Sequence, residues 1–323
     1  DLFMEKIINL ATEKNPDIII IAGDLLHTHE RLHTIALNKA YELVNNMRLI
    51  SKTYVLVGNH DYIQNQQFLT ENHWMNGLKK WENIVIVDKA ISYRIKEHLF
   101  CFCPYVPNGR FIEALTTISN ENWKQSTCIF AHQEFYGCKM GAIESIDGDK
   151  WDKDLPNVIS GHIHVKQTIE NIYYTGSSMQ CAFGEPDKIV ALIEFSDNKT
   201  YQKSEIKLNL PKKRIIYADI DDIDSLEIKE TEDTIKLSIS GTYEEFKIFK
   251  KSKKYKEIMK NGTKIIYKAK KNKSDLNEKS EDFTGNFNEI LHNLVLKSGN
   301  MDLISDFNYI FLKRKKNEEI FLI

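Results

Sequence analysis

Asp24, Asn59, His60, His132, His162 and His164 are the residues whose types and spacing point to chemistry in this chain. Each stands at the carboxyl end of an apolar run: Asp24 after "IIIIAG", Asn59-His60-Asp61 after "YVLVG", His132 after "IFA", and His162 and His164 after "VISG". In open α/β sheets ligands gather at the carboxyl ends of strands, so residues this far apart in sequence can converge. Gly23, Gly58 and Gly161 precede the polar groups and permit tight turns and a close approach of backbone to whatever is bound. A carboxylate, an amide oxygen and several imidazoles suit borderline divalent cations such as Mn, Fe or Zn, whereas Ca and Mg prefer oxygen alone. Two such cations sharing one carboxylate would hold a phosphate ester, activate a water and steady the leaving oxygen of an in-line displacement. One histidine after a strand is ordinarily a loop or core residue. Four such strand ends in succession carry far more information than any one of them.

The elements that position these residues follow from hydrophobic periodicity. Phe3, Ile7, Leu10 and Ala11 share a helical face before the strand "DIIIIAGD", and Ala36, Ala40, Leu43, Val44 and Met47 share another before "TYVLVGNHD". Further strands are expected at "NIVIVD", "HLFCFCPY", "TCIFAHQE", "NVISGHIH", "NIYYTGS" and "KIVALIEF". The expected fold is mixed α/β: residues 1–205 form a layered β-sandwich core flanked by helices. "LNLPKKRI" reads as a linker into a small cap domain, 206–275, made of "TIKLSIS", a helix over "YEEFKIFKKSKKYKEIMK" and "TKIIYKA" as one β-α-β unit. Residues 276–323 form a C-terminal segment of helices, in which Phe287, Ile290, Leu291, Leu294 and Val295 make an apolar stripe that requires a partner.

Composition narrows the class without choosing the function. The 44 Lys and Arg nearly balance 46 Asp and Glu, so polyanion binding must come from local patches. No apolar run is long enough to span a bilayer and no secretory signal pattern opens the chain, so an intracellular protein with no membrane association is expected. Cys101, Cys103, Cys128, Cys138 and Cys181 lack paired spacing and are expected to be reduced core residues. Trp74, Trp81, Trp123 and Trp151 show no stacking pattern and read as packing residues.

The motifs "AGDLLH", "VGNHD", "FAHQEF" and "SGHIH" resemble those of the calcineurin-like metallophosphoesterases, and "YYTGSSMQCAFGE" is similar to the SbcD-type nuclease subunits of double-strand-break processing complexes, especially phage and large-virus relatives. The motif resemblance covers about residues 1–195; the cap (206–275) and final helices (276–323) match only in arrangement, resembling the family's DNA-facing cap and the segment that binds an SMC-like ABC ATPase. The resemblance implies that Asp24 bridges two divalent metals, with Mn expected and Mg, Fe or Zn the alternatives. Asn59, His132 and His162 would complete one metal, and His164 would belong to the other. It implies that His60 stabilises the scissile phosphate or protonates the leaving group, with Asp61 orienting its ring. It further implies a metal-dependent DNA nuclease acting in repair, recombination or replication, assembled as a homodimer with an SMC-like ABC ATPase docked on the C-terminal helices. The alternatives are a small-molecule phosphoesterase of the same fold and a catalytically inactive subunit that binds DNA or the ATPase.

One departure stands out. These enzymes begin with a strand ending in Asp-x-His, and Asp1 cannot replace it because residue 3 is Phe. One metal would keep its ligands while the other would retain only Asp24 and His164. Losing a first strand would leave its neighbours' backbone groups unpaired, so an N-terminal stretch beyond the sequence is expected; the alternative, a protein that truly lacks it, should bind one metal weakly and hydrolyse little or nothing. Weaker signals concern DNA. His27, just after the GD motif, is a candidate for positioning DNA, whereas His29 and His33 read as exposed loop and helix start. Lys250, Lys251, Lys253 and Lys254 on the basic helix, with "YKAKKNK" and "FLKRKK", are candidate phosphate contacts.

Overall fold

The structure, a computed structural model, describes residues 1–29, 31–141, 143–197, 200–270, 287–297 and 299–309. It divides into two compact units, Asp1–Lys268 and Ala269–Ile323.

The first unit opens with α1 (Leu2–Lys14), β1 (Ile18–Ile21), α2 (Thr34–Ile50), β2 (Lys52–Leu56) and β3 (Ile84–Val87). The three strands form a parallel sheet in the order β1-β2-β3. Strand β4 (Ile91–Ile95), β5 (His98–Cys103), α3 (Phe111–Thr116) and β6 (Cys128–Ala131) follow, then a short hairpin of β7 (Lys139–Met140) and β8 (Ile143–Glu144). With β9 (Asn157–Ser160), β10 (Gln167–Ile169) and β11 (Ile172–Tyr174) they complete a second sheet, ordered β10-β11-β9-β6-β5-β4.

The central strands are apolar on both faces because each sheet is covered twice. In β2, Tyr54 and Leu56 face the second sheet, where they meet Phe100, Phe102, Phe130 and Tyr173. Val55 and Val57 point the other way, toward Val44 of α2 and toward Tyr62, Met75 and Leu78. The far face of the second sheet packs Cys101, Ile129, Val158 and Tyr174 against Phe111 and Leu115 of α3 and against Trp123 and Trp151. Tyr54 and Phe102 stack across the sandwich with ring centroids 4.2 Å apart. The hairpin β12 (Val190–Phe195) and β13 (Tyr201–Ile206) closes one side of this core with Ile193, Phe195 and Tyr201. Strand β1 lies at a sheet edge, and its four isoleucines are half-buried.

The cap region corrects two expectations. The linker expected at residues 208–215 runs into a strand, β14 (Lys213–Asp219), which pairs in parallel with β15 (Thr234–Gly241), with β16 (Lys264–Ala269) on the other side. The single basic helix is two, α4 (Tyr243–Phe249) and α5 (Lys253–Lys260). Ser252 ends the run because its Oγ accepts from the Tyr255 N–H at 3.0 Å and caps α5, while a Thr242/Glu245 capping box starts α4. Both helices lie on one face of the sheet, over Leu237, Ile239 and Tyr267.

In the second unit, α6 (Phe287–Lys297) and α7 (Met301–Phe307) are described, with His292 stacked on Phe307 at 5.6 Å. Of the expected stripe, Val295 is buried, Leu291 half-buried and Leu294 exposed. The side chains of Phe287 and Ile290, and the basic "FLKRKK", lie outside the described residues. Four cysteines are buried as expected, but Cys181 is exposed on a loop, and Ala36 is exposed on α2. No helix among the described residues is long and apolar enough to cross a membrane.

Candidate metal centre

Four strand ends deliver the site. Asp24 follows β1, Asn59 and His60 follow β2, His132 follows β6, and His162 follows β9. The turns are tight enough to need glycine: Gly23 has φ +94°, and a Cβ on Gly58 would lie 2.1 Å from Asp24 Oδ1. Asp24 and His162 themselves adopt left-handed backbone, at φ +54° and +69°, which throws both side chains toward a common centre.

Asp24, His132 and His162 place donor atoms within 4.8 Å of one another, a grouping among the described residues that Asn59 joins through its amide oxygen. His132 Nδ1 lies 2.6 Å from the Ala22 carbonyl, which can only accept, so Nδ1 carries a proton. In the neutral ring Nε2 is then a lone pair, yet it faces Asp24 Oδ2 at 3.1 Å and Asn59 Oδ1 at 3.2 Å. His162 Nδ1 sits 3.0 Å from the same amide oxygen and 3.3 Å from His132 Nε2. Such a convergence of Lewis bases is stable around a cation. Without one a proton takes its part: burial opposes charge on His132, but Asp24 outweighs burial and raises its pKa. Asp24 is likewise opposed by burial and held well below the usual carboxylate range by His132 and the His60 N–H, which donates to Oδ1 at 2.9 Å. Burial, reinforced by His132, pushes His162 down to about 3. The residues present therefore fit a divalent metal held by one carboxylate oxygen, one amide oxygen and two imidazoles.

Asp61 takes a different place from the one expected. Its carboxylate accepts from the backbone N–H of Asp24 (2.8 Å), Gly58 (3.0 Å) and Leu26 (3.4 Å) and from Trp74 Nε1 (2.9 Å). It thus locks the Asp24 turn to the Asn59 turn, while the buried His60 Nδ1 has no hydrogen-bond partner. What flanks His60 is imidazole: His27 stacks on it at 5.2 Å and His29 at 4.9 Å. His29, read from the sequence as an exposed loop residue, is half-buried, with Nδ1 3.2 Å from the Tyr62 carbonyl. His33 is exposed at the start of α2, as expected. Burial lowers the His60 pKa; Asp24 opposes that effect and the two neighbouring imidazoles add to it.

His164 stands outside the metal grouping, half-exposed, with Nδ1 3.7 Å from Glu185 Oε1. Its carbonyl is held by the Ser177 N–H (3.2 Å) and by Lys188 Nζ (2.7 Å). Asp1 pairs on the surface with Lys39 at 2.7 Å. Two residues not singled out in the sequence, Glu134 and Tyr105, and one read there as packing alone, Trp74, border the site. Glu134 Oε2 lies 3.9 Å from His162 Nε2, Tyr105 packs its ring 5.8 Å from that of His162, and Trp74 holds Asp61. Glu134 follows His132 by two residues in "HQEF" and was the one of these with a local signal. Lys250, Lys251, Lys253 and Lys254 lie at the α4–α5 junction, on the helical layer of the cap.

Comparison with known proteins agrees with this geometry. The calcineurin-like phosphoesterase family profile matches residues 3–166, which contain every site residue from Asp24 to His164. The chain is 53% identical over 243 residues to "Putative phosphoesterase 244L" of Invertebrate iridescent virus 6, covering 73% of this chain and 86% of that one. It is 42% identical over 308 residues to "Putative phosphoesterase 078R" of Invertebrate iridescent virus 3, covering 94% and 89% respectively. A preformed cradle for a divalent cation at the carboxyl ends of a double sheet, and relatedness across most of two viral chains, identify this protein as a member of the calcineurin-like phosphoesterase family.

Proposed function

We propose that this phosphoesterase is a DNA phosphodiesterase of SbcD type, using two divalent cations with Mn favoured. The observation that carries the reading is that Asn59 and His60, adjacent on one turn, present an amide oxygen to the cradle and an imidazole beside it, with the His60 N–H on Asp24. Asp24, Asn59, His132 and His162 would hold one cation; Asp24 and His164 would contribute to the second. When bound, the cations supply positive charge to the phosphoester and make deprotonation of water easier. The protein's own part is orientation. Asp61 fixes the two turns, and His27 and His29 keep His60 in one rotamer where it can donate to the phosphate or to the leaving oxygen. Negative charge on an incoming phosphate favours the protonated form of His60 that its resting surroundings disfavour.

A polymeric substrate accounts for the cap, which a small monoester does not need. In this reading α6 and α7, with Leu294, Leu296 and Leu303 exposed, serve an SMC-like ATPase partner, and two copies of the chain work together. The test gives Mn-loaded full chain a labelled linear duplex, bis(p-nitrophenyl) phosphate and p-nitrophenyl phosphate in parallel. Cleavage of the duplex and the diester, lost in His60→Asn with metal content unchanged, is the expected result. Hydrolysis of the monoester alone would replace this reading with a small-molecule phosphoesterase. Co-elution of the full chain with such an ATPase, abolished by Leu294→Glu, checks the partner.

A further inference from the structure

The two histidines of the cradle present opposite ring nitrogens to it. His132 offers Nε2 and gives its Nδ1 proton to the Ala22 carbonyl at 2.6 Å. His162 offers Nδ1, which lies 3.0 Å from Asn59 Oδ1 and 3.3 Å from His132 Nε2. Once Nδ1 ligates a cation, the proton of the neutral His162 ring is on Nε2. That nitrogen faces Glu134 Oε2 at 3.9 Å. An imidazole holds a metal more firmly when its other N–H goes to a carbonyl or carboxylate, because the acceptor fixes the tautomer and the ring orientation and strengthens the ligating nitrogen. His132 has such an acceptor in Ala22. For His162 the group in the matching place is Glu134.

Glu134 is held in that place from several sides. Its backbone carbonyl accepts from the Asp149 N–H at 2.9 Å, and its Oε1 accepts from the Ser145 hydroxyl. Ser145 is itself buried and fixed, with its N–H on the Cys138 carbonyl at 2.8 Å and its Oγ accepting from the Gly148 N–H at 3.0 Å, so its hydroxyl proton is committed to Glu134. Oε2 has a weaker donor, Asn108 Nδ2 at 3.4 Å, and otherwise faces His162. The Glu134 side chain is only 14% exposed, and among the described residues no lysine or arginine pairs with it. A carboxylate so enclosed loses solvation that no cationic side chain offsets, whereas a divalent ion in the cradle offsets it through His162. Asp24 and Glu134 together then balance the charge of that ion. Tyr105 completes the support: its ring lies 5.8 Å from that of His162 at 31°, and its N–H is anchored on the Val57 carbonyl at 2.8 Å.

We propose that Glu134 is the positioning residue of His162: its carboxylate accepts the Nε2 proton when Nδ1 binds the cation, holding the ring in its ligating orientation. A small turn of the carboxylate brings the 3.9 Å separation to hydrogen-bond distance. The proposal rests on the cradle and not on the DNA reading.

The test is isothermal titration of the full-length, metal-free protein with Mn. Glu134→Gln should weaken binding about tenfold and Glu134→Ala about 100-fold, the two ends of the loss that follows removal of a ligating histidine's partner. Ser145→Ala, which keeps the carboxylate but releases it from the β7–β8 hairpin, should cost less than either. Circular dichroism melts of the metal-free chain establish that each variant is folded. A second readout separates positioning from general support. With Co in place of Mn, the N–H protons of ligating imidazoles are shifted far from the other signals of the proton spectrum, and they are seen only while a hydrogen bond slows their exchange with water. The wild type should show two, from His132 and His162, and Glu134→Ala should lose the His162 signal alone. Wild-type Mn affinity in the folded variants, or both shifted signals intact in Glu134→Ala, would overturn the proposal. So would a loss in Ser145→Ala equal to that in Glu134→Ala, which places the effect in the hairpin. No substrate enters these readouts, so the DNA reading stands or falls separately. A wild type that takes up no Mn overturns the cradle itself and this proposal with it.

Discussion

Asp61 is surrounded by donors, three backbone N–H groups and the Trp74 indole, and that environment decides what a conservative change does to it. Asn at this position points an NH2 at groups that are themselves donors, leaving at least one buried contact unmade at a cost of about 1–3 kcal/mol. Asp61→Asn should therefore lower Tm by several degrees and weaken Mn binding about 10- to 100-fold, read by calorimetry and by isothermal titration. Unchanged stability with lost turnover would instead place Asp61 at the reacting atoms. The same residue carries a pH signature. Burial, reinforced by the Asp24 charge, pushes its carboxyl from 3.8 up to about 6 in the metal-free chain, so the folded state holds the proton more tightly than the unfolded one. That contribution to stability is complete at low pH and is lost as pH rises from about 3.8 to about 6, and the gap between wild type and Asp61→Asn should narrow over that window. A Mn ion on Asp24 removes the second cause and should flatten the effect. His29 offers a separate test. Its ring stacks 4.9 Å from that of His60, so His29→Phe, which keeps a flat ring, should hold turnover near wild type, while His29→Ala should lower kcat about tenfold with KM little changed. Equal losses in both variants would mean that the imidazole nitrogens, not the stack, matter.

At the scale of elements, the cradle depends on how closely two turns interlock. A Cβ on Gly58 would meet Asp24 Oδ1 at 2.1 Å and the Asp24 N–H nitrogen at 2.4 Å, and the second of these is backbone and cannot swing aside. Gly58→Ala should separate β1 from the end of β2 and abolish stoichiometric Mn binding, measured as metal per chain after desalting, while the sandwich still melts cooperatively. Retention of wild-type metal content would show that the turns are looser than their spacing. The same interlocking explains what the sequence revealed. Strands β2, β5, β6 and β9 were legible because they are apolar on both faces, and β2, β6 and β9 also end abruptly in polar residues, the mark of buried strands that present a site. Strands β4 and β13 were not, since Tyr93, Arg94 and Gln202 to Glu205 lie exposed and read as loop. Strand β14 was concealed by basic residues resembling a linker, and the break before α5 by a run of lysines in which Ser252 was the only stop signal. Asp24, Asn59, His132 and His162 were visible because each follows its strand directly. The contacts of His29, Trp74 and Glu185 arise through space, and no local pattern announces them.

For the whole molecule, the distribution of buried apolar surface decides which parts stand alone. The space between the two sheets, the outer flank of each sheet and the cap each have a cluster of buried side chains, and all four clusters lie within Asp1–Lys268. The residues that hold the cap to the catalytic region also lie there: the Lys213 N–H donates to Gln180 Oε1 at 2.6 Å, and its Nζ donates to the Cys181 carbonyl at 2.9 Å. The second unit contributes exposed Leu294, Leu296, Met301 and Leu303, surface that costs solubility unless something binds it. A chain ending at Lys270 should keep the Tm of the full chain within about 2 °C, given that no cluster loses a member, and should bind the same amount of Mn. Its hydrolysis of bis(p-nitrophenyl) phosphate should also be unchanged, because every residue from Asp24 to His164 remains in place. What should disappear is co-elution with an SMC-like ATPase, which on this argument is carried by α6 and α7 alone. If the shortened chain instead melts many degrees lower, the helices stabilise the catalytic unit directly, and their apolar residues serve this chain rather than a partner.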